Sequence, residues 1–390
     1  MKREKIVDFE VIVIGGGPAG SAAAITLAKA GISVCIVDKA MFPRQKLCGG
    51  LLSLRSKKLF ETIFGGVWNA AIVSRSRGVS FFNRSQLMSS VQDYRDWALT
   101  DRTLFDSMLL QKAQKAGAEV ITGIAVTSIN EDQYIVSLAD GRQLSSNYIV
   151  GCDGIYGISV KTLHKQSFRS KQTSFCLEID VPLCQTTYCI TEPEIYFGYV
   201  RWGYGWIFPK GDKLTVGLGC LMHKNADIVA AFKAFLVDRL GFMPELPLKG
   251  HHLVFRNRHW LAGKGNVLLC GDAAGWVDPL TGEGIAYAMQ SGNLAAKAII
   301  NVLSNTTSES ALKQYSKSCE PIRKEIKLAE RLSWLVFPKY PERLFLKTFP
   351  RTKTIPRRFI DLMSGITSYQ EFQRFILSKI VSRLTGSSKK

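Results

Sequence analysis

Apolar residues recur along this chain with two different periods. Residues 9–14 (FEVIVI) form a short run rich in β-branched side chains, the pattern of a strand buried on both faces. From Ala19 to Ala30, alanines and aliphatic residues predict a helix that stops at Gly31. Ile32 to Val37 repeats the strand pattern, so the chain opens as a β-α-β unit of about thirty residues. Asp101 to Gly117 predicts a second helix, with Phe105, Met108, Leu109 and Ala116 on one face. Two strand-like segments, Tyr134 to Leu138 and Gln143 to Val150, flank Asp140-Gly141, a strong hairpin signal. The second runs into Gly-Cys-Asp-Gly at 151–154.

The texture then changes. From about Ser159 to Trp260, short aromatic-rich strands dominate, among them EIYFGYV (194–200), YGWIFP (204–209) and KLTVGLGC (213–220). Asn266 to Cys270 returns to a buried strand, with a helix expected from about Gly284, and the chain beyond about Ser308 reads as helical and basic. The expected fold is α/β: a Rossmann-type unit over 1–158 and 261–305, an inserted antiparallel-sheet unit over 159–260 that covers substrate, and a helical region over 306–390.

Charge adds a partner to this picture. The 390 residues carry 51 Lys and Arg against 32 Asp and Glu, a net charge of +19. From Pro321 to Lys390 the counts are 16 and 5, so +11 of it lies in the last 70 residues. Basic and apolar residues alternate there without a nucleic-acid motif. An anionic membrane surface is the favoured partner, with Trp334, Phe337, Phe345, Phe349 and Phe359 as candidate interfacial anchors. No stretch approaches the roughly 18 apolar residues of a spanning helix, so the expected location is cytoplasmic and peripheral, on the inner face of the membrane. The nine cysteines show no CxxC pair and no metal-ligand spacing, consistent with reduced thiols and no metal site.

Two motifs carry chemistry. In GGGPAG (15–20), Gly15, Gly17 and Gly20 fit G-x-G-x-x-G between a strand and a helix. Pro18 and Ala19 open that helix, whose free N–H groups suit a pyrophosphate. Asp38, at the end of the second strand, is placed to accept hydrogen bonds from an adenosine ribose, with Lys39 beside it. The second motif is GDAAGWVDPLTGEGI (271–285). Asp272 follows a buried strand and suits a ribityl hydroxyl; Pro279 and Gly282 shape the turn; Gly284 and Ile285 begin a helix able to face a flavin ring. These residues imply FAD.

With Gly-Cys-Asp-Gly between them, the two motifs resemble the aromatic-hydroxylase-like superfamily of FAD enzymes. The resemblance implies that Arg102, at the head of a helix, lies near the FAD phosphates. Where that superfamily usually has a serine three residues after the last glycine of G-x-D-G, this chain has Gly157, with Ser159 following. PRQKLCGGLL (43–52) resembles the K-x-C-G-G signature of geranylgeranyl reductases, and YGWIFPKG (204–211) their Y-x-W-x-F-P signature. The family implies that these two segments approach the flavin from opposite sides of the substrate cavity, and that the reaction reduces carbon–carbon double bonds of a polyprenyl lipid. Tyr204, Trp206 and Phe208 alternate along a strand and can form one aromatic wall. Two roles stay open for Cys48: a chemically active thiol that reaches the flavin, or a small apolar residue that lets the loop approach the ring. His251, His252 and His259 read as surface or core residues.

No second G-x-G-x-x-G is present for a nicotinamide cofactor; the resemblance implies as donor either NAD(P)H docking without its own domain or a reduced electron carrier, and the sequence does not decide between them. Two other functions fit the same motifs: a flavin monooxygenase or halogenase acting on an aromatic substrate, and a non-catalytic flavin-binding regulator or resistance protein at the membrane. The sequence leaves the prenyl lipid and the oligomeric state open.

Overall fold

The computed structural model describes residues 7–163, 173–254, 262–349 and 353–384. His259 and Trp260 lie outside the described residues. Strands in chain order are β1 Phe9–Ile14, β2 Val34–Asp38, β3 Leu51–Leu52, β4 Ile72–Ser76, β5 Val79–Asn83, β6 Gln86–Val91, β7 Trp97–Thr100, β8 Glu119–Thr122 and β9 Val126–Asn130. They continue as β10 Ile135–Leu138, β11 Gln143–Gly151, β12 Thr173–Pro182, β13 Glu194–Phe197, β14 Gly203–Lys210, β15 Lys213–Leu221, β16 Lys249–Val254, β17 Gly263–Lys264 and β18 Val267–Leu269. The helices are α1 Pro18–Lys29, α2 Leu54–Phe64, α3 Arg102–Lys115, α4 Ile158–Leu163, α5 Ile228–Leu240, α6 Ile285–Leu303, α7 Ala311–Ser318, α8 Glu320–Val336, α9 Lys339–Thr348, α10 Thr354–Met363 and α11 Tyr369–Leu384.

The first sheet has the order β17-β18-β11-β1-β2-β8, with β9 and β10 attached beside β11. Strands β18, β11, β1, β2 and β8 run parallel, with crossovers leading from β1 to β2, from β2 to β8 and from β11 to β18. Helix α1 is alanine-rich because it has little room: it lies between this sheet and α6, and a methyl group at Gly292 would sit 2.0 Å from the Ala19 carbonyl oxygen. The expected first helix and second strand are present, displaced by one to two residues at their ends, where backbone hydrogen bonding rather than apolar period sets the boundary.

The second sheet is antiparallel apart from one pair, in the order β16-β12-β15-β14-β13-β5-β6. Its composition differs from the sequence division: β5 and β6 come from residues 79–91, within the segment assigned to the Rossmann-type unit. They join through a parallel pairing of β5 with β13. The fully buried Phe81 faces the aromatic core of this sheet, which is where its apolar surface is covered. A small third sheet, β3-β7-β4, lies between the two.

The C-terminal helices cover the second sheet, and this overturns most of the expected membrane anchors. Phe337, Phe349 and Phe359 are buried, and Phe345 is half-buried. Phe349 and Phe359 pack on Phe81 with ring centroids 5.1 and 5.9 Å away, and Phe345 packs on Phe197 at 5.5 Å. The sheet presents an apolar face, so these rings meet protein before lipid. Polar ties fix the helices further. Asp361 of α10 accepts from Tyr94 and Arg95 at 3.0 and 2.8 Å, and Tyr369 of α11 donates to Asp278 at 2.6 Å. Of the five expected anchors only Trp334 is exposed.

Candidate active site

A cavity of about 1130 Å³ runs between the two large sheets. Gly15, Gly17, Pro18, Ala19, Asp38, Lys39, Arg102, Asp272, Gly282, Gly284 and Ile285 line it, together with Cys48, Tyr204 and Trp206. Gly20 does not. It holds α1 against the turn: a methyl group there would lie 1.8 Å from the Gly15 carbonyl oxygen. Gly15 itself has φ +102°, a backbone state that strongly favours glycine.

Two helix starts open onto the cavity. Helices α2, α3, α5 and α7 are capped by the side chains of Ser53, Asp101, Asp227 and Ser310. Helices α1 and α6 begin at Gly17 and Gly284, which offer no side-chain cap. Their first-turn N–H groups therefore need another acceptor. A dinucleotide supplies two: phosphate oxygens for α1 and a flavin edge for α6. Glycine at both caps, and room for a large ligand between them, fit FAD.

Polar side chains ring these helix starts. Asp38 accepts from the Gly16 and Ala40 N–H groups at 2.7 and 2.8 Å, which ties its carboxylate to the glycine turn. Arg102 forms a two-pronged pair with Asp106, both contacts at 2.7 Å, and Arg44 reaches the same carboxylate at 3.1 Å. Burial disfavours the charged guanidinium of Arg102, but Asp106 outweighs it and holds the guanidinium firmly protonated. Arg44 lies beside Gly17, 3.3 Å from where a methyl group there would sit, so it is a second cation at the glycine turn. Lys46 pairs with Asp272 at 3.7 Å, joining the cysteine loop to the second FAD motif.

The departure at Gly157 has a local cause. A methyl group there would lie 2.0 Å from Cγ of Asp153, whose carboxylate turns back to accept the Ser159 N–H at 3.0 Å. Glycine makes space for that cap.

The two signature segments do not face each other across the cavity. They share one wall. A methyl group at Gly49 would lie 2.8 Å from the Phe208 ring, and Lys210 Nζ donates to the Cys48 carbonyl at 3.2 Å. The cysteine loop packs directly on β14 because its two glycines leave no side chain between them. Tyr204, Trp206 and Phe208 do share one face, as their alternation requires. Tyr204 donates to the Thr281 carbonyl, and burial keeps its hydroxyl protonated.

Several lining or adjacent groups carried no motif. His251 lines the cavity; burial pushes its pKa down to about 4, with Lys46 adding to the effect, so it is neutral. Its place there comes from where β16 pairs at the sheet edge, which local sequence does not encode. Glu178 of β12 is buried behind Cys48 and accepts its N–H at 3.2 Å. Alternation along a strand could have marked its face, but nothing local marks it as a carboxyl inside the protein.

Comparison with known proteins follows this geometry. The FAD binding domain family model matches residues 8–191 and 254–328. An uncharacterized protein of Methanosarcina barkeri is 33% identical over 296 residues, covering 75% of this chain and 74% of that protein. A chloroplastic geranylgeranyl diphosphate reductase of Oryza sativa subsp. japonica is 29% identical, covering 96% of this chain and 82% of its own. Among solved structures, a geranylgeranyl bacteriochlorophyll reductase-like protein from Thermoplasma acidophilum superposes with TM-score 0.77 at 21% identity, covering 91% of each chain. The flavin-dependent brominase Bmp2 superposes with TM-score 0.71 at 19% identity, covering 96% of this chain and 99% of its own. At such identities the structural likeness is one of fold.

Proposed function

Because this chain belongs to the FAD binding domain family, within the aromatic-hydroxylase-like FAD superfamily, we propose that this FAD-dependent oxidoreductase reduces carbon–carbon double bonds of a polyprenyl lipid. The observation that carries the reading is the shared wall of Cys48, Tyr204, Trp206 and Phe208 beside the two uncapped helix starts. Bound FAD would supply the hydride. Gly15, Gly17, Pro18, Ala19 and Arg44 would hold its phosphates, Asp38 its adenosine ribose, Asp272 its ribityl chain, and Gly282, Gly284 and Ile285 its ring. The chain's own part is to orient the alkene and exclude water. The aromatic wall does the first by offering flat apolar surface to a chain that has little else to bind. Relatives named for geranylgeranyl diphosphate reduction support this substrate class.

The test is direct. Purified protein with FAD and a reduced donor, dithionite or NADPH, is given geranylgeranyl diphosphate, a polyprenol or a prenylated quinone. A product heavier by one hydrogen molecule per double bond is expected. Oxygen consumption with a hydroxylated or halogenated aromatic product would favour the monooxygenase reading. Bound FAD with no turnover on any of these would favour the regulator.

An anionic membrane surface remains the proposed partner, with a smaller set of contacts. Along α8, Lys324, Lys327, Arg331, Trp334 and Leu335 are exposed at helical spacing, with the two apolar residues 52% and 53% exposed. The next face of the same turn, Ser333 and Phe337, lines the cavity, and Trp202 of the cavity wall packs on Trp334 with centroids 4.7 Å apart. This end of the cavity is thus one helix away from the proposed lipid surface. Among the described residues no helix is long and apolar enough to cross a membrane. Three basic residues near an anionic surface contribute on the order of 3 kcal/mol, about a hundredfold in binding. Flotation with phosphatidylserine vesicles should recover the protein at low salt and lose it near 1 M, where the Debye length is about 3 Å. Trp334→Ala with Leu335→Glu should weaken recovery. A protein that ignores these vesicles at low salt refutes the partner. Truncating the tail is a poor test, since it would bare Phe81 and Phe197.

A further inference from the structure

The loop that carries Cys48 has no regular secondary structure between Pro43 and Gly50, yet it is held at every polar group of one residue. The Cys48 N–H donates to Glu178 Oε1 at 3.2 Å. Its carbonyl accepts from Lys210 Nζ at 3.2 Å. Its Sγ accepts from the Gly50 N–H at 3.3 Å and lies beside the Arg102 guanidinium. Glu178 and Lys210 are 4% and 5% exposed, on strands β12 and β14 of the same sheet.

Two buried charged side chains are an expensive way to hold one peptide group, because water or a backbone partner would serve with no charge to desolvate. Neither Glu178 Oε2 nor the Trp206 indole N–H makes a hydrogen bond of good geometry, although the indole lies close enough to the carboxyl to favour its charged form. We propose that Glu178 and Lys210 are positioning residues that clamp the backbone of Cys48 from both sides and so fix where its thiol stands in the cavity. The proposal rests on the reading of the cavity as the reaction site, but its central measurement does not need turnover.

The clamp has a stability signature. Burial pushes the Glu178 carboxyl up to about 7; Lys210 opposes the shift, Asp180 adds to it, and the Cys48 N–H and Trp206 indole oppose it. Its pKa in the folded protein lies above the ordinary 4.5, so its contribution to stability is present below about 4.5 and lost as pH rises through about 7. A glutamine of the same shape never ionises. Glu178→Gln is therefore expected to match the wild type near pH 5 and to melt roughly 2–4 °C higher near pH 8. A side chain kept for structure alone would lose stability on that change.

The experiment uses FAD-loaded protein carrying Cys184→Ser and Cys189→Ser, which removes two exposed thiols. The rate of iodoacetamide alkylation at Cys48 is read by peptide mass spectrometry, beside FAD content, melting temperature, kcat and KM. Glu178→Gln and Lys210→Met should each change the Cys48 alkylation rate by about tenfold. Each should lower kcat by about tenfold or more with little change in KM. Glu178→Asp should recover part of both effects, and the double variant should be no worse than either single one. An unchanged alkylation rate in both single variants overturns the proposal, as does a melting temperature that falls at every pH together with kcat. If Glu178→Gln fails to fold, Lys210→Met and Glu178→Asp carry the same comparison. If the wild type reduces no polyprenyl substrate, the substrate reading fails while the alkylation rates still decide the clamp.

Discussion

Trp206→Ala should lower polyprenyl reduction by about 100-fold, on the order of 3 kcal/mol in the barrier, while FAD stays bound. The indole is 8% exposed and lies over Gly217 of the neighbouring strand, where a methyl group would come within 2.2 Å of the ring. It also contacts Tyr204 and Phe208 in the same row, with centroids 6.1 and 6.5 Å apart. Removing it opens the middle of the wall, and an alkene held there would lose its registration with the reacting centre. None of the atoms assigned to hold FAD belongs to Trp206, so FAD content should remain near that of the wild type. Trp206→Phe keeps a flat ring and should retain most of the rate. If FAD and melting temperature fall with the rate, Trp206 is a core residue and the wall has been misread.

Gly20→Ala should abolish FAD retention. The added methyl group would lie 1.8 Å from the Gly15 carbonyl oxygen and 3.1 Å from a Val13 methyl. The first neighbour is backbone, so no side chain can rotate away. Helix α1 must lift off the strand, and its other side is already closed by Gly292 of α6. A loss of about 3 kcal/mol in stability is expected, at the upper end for overpacking. The first-turn N–H groups move with the helix, so the phosphates lose their cradle as well. The measurement is flavin absorbance after desalting, with a melting curve. A yellow Gly20→Ala protein of ordinary stability would contradict the phosphate-loop geometry.

Much of the FAD side of the site was legible because its signals are local. A strand end, a glycine with positive φ and a helix start lie within five residues of each other at 14–18, and their spacing alone specifies the turn. Alternation did the same for Tyr204, Trp206 and Phe208, since period two in a strand fixes a common face. Glu178, Lys210, Arg44 and His251 left no such trace. Each gains its role from a partner far along the chain: Glu178 from Cys48, 130 residues away, and Lys210 from the same residue, 162 away.

The C-terminal region separates what local pattern decides from what packing decides. The amino-acid sequence by itself determined that the region forms amphipathic, basic helices, because that follows from periodicity within each helix. It could not determine what their apolar faces meet, because hydrophobic burial is non-directional and is served equally by lipid or by protein. The tertiary structure decided that question. Strands β5 and β6, from the first part of the chain, complete a sheet whose aromatic face receives Phe349 and Phe359, while on α8 Trp334 and Leu335 are left turned outward. The same reason explains the cysteine loop. Its two glycines announced a close approach, but which surface it would approach was set by the sheet that happened to be assembled beneath it.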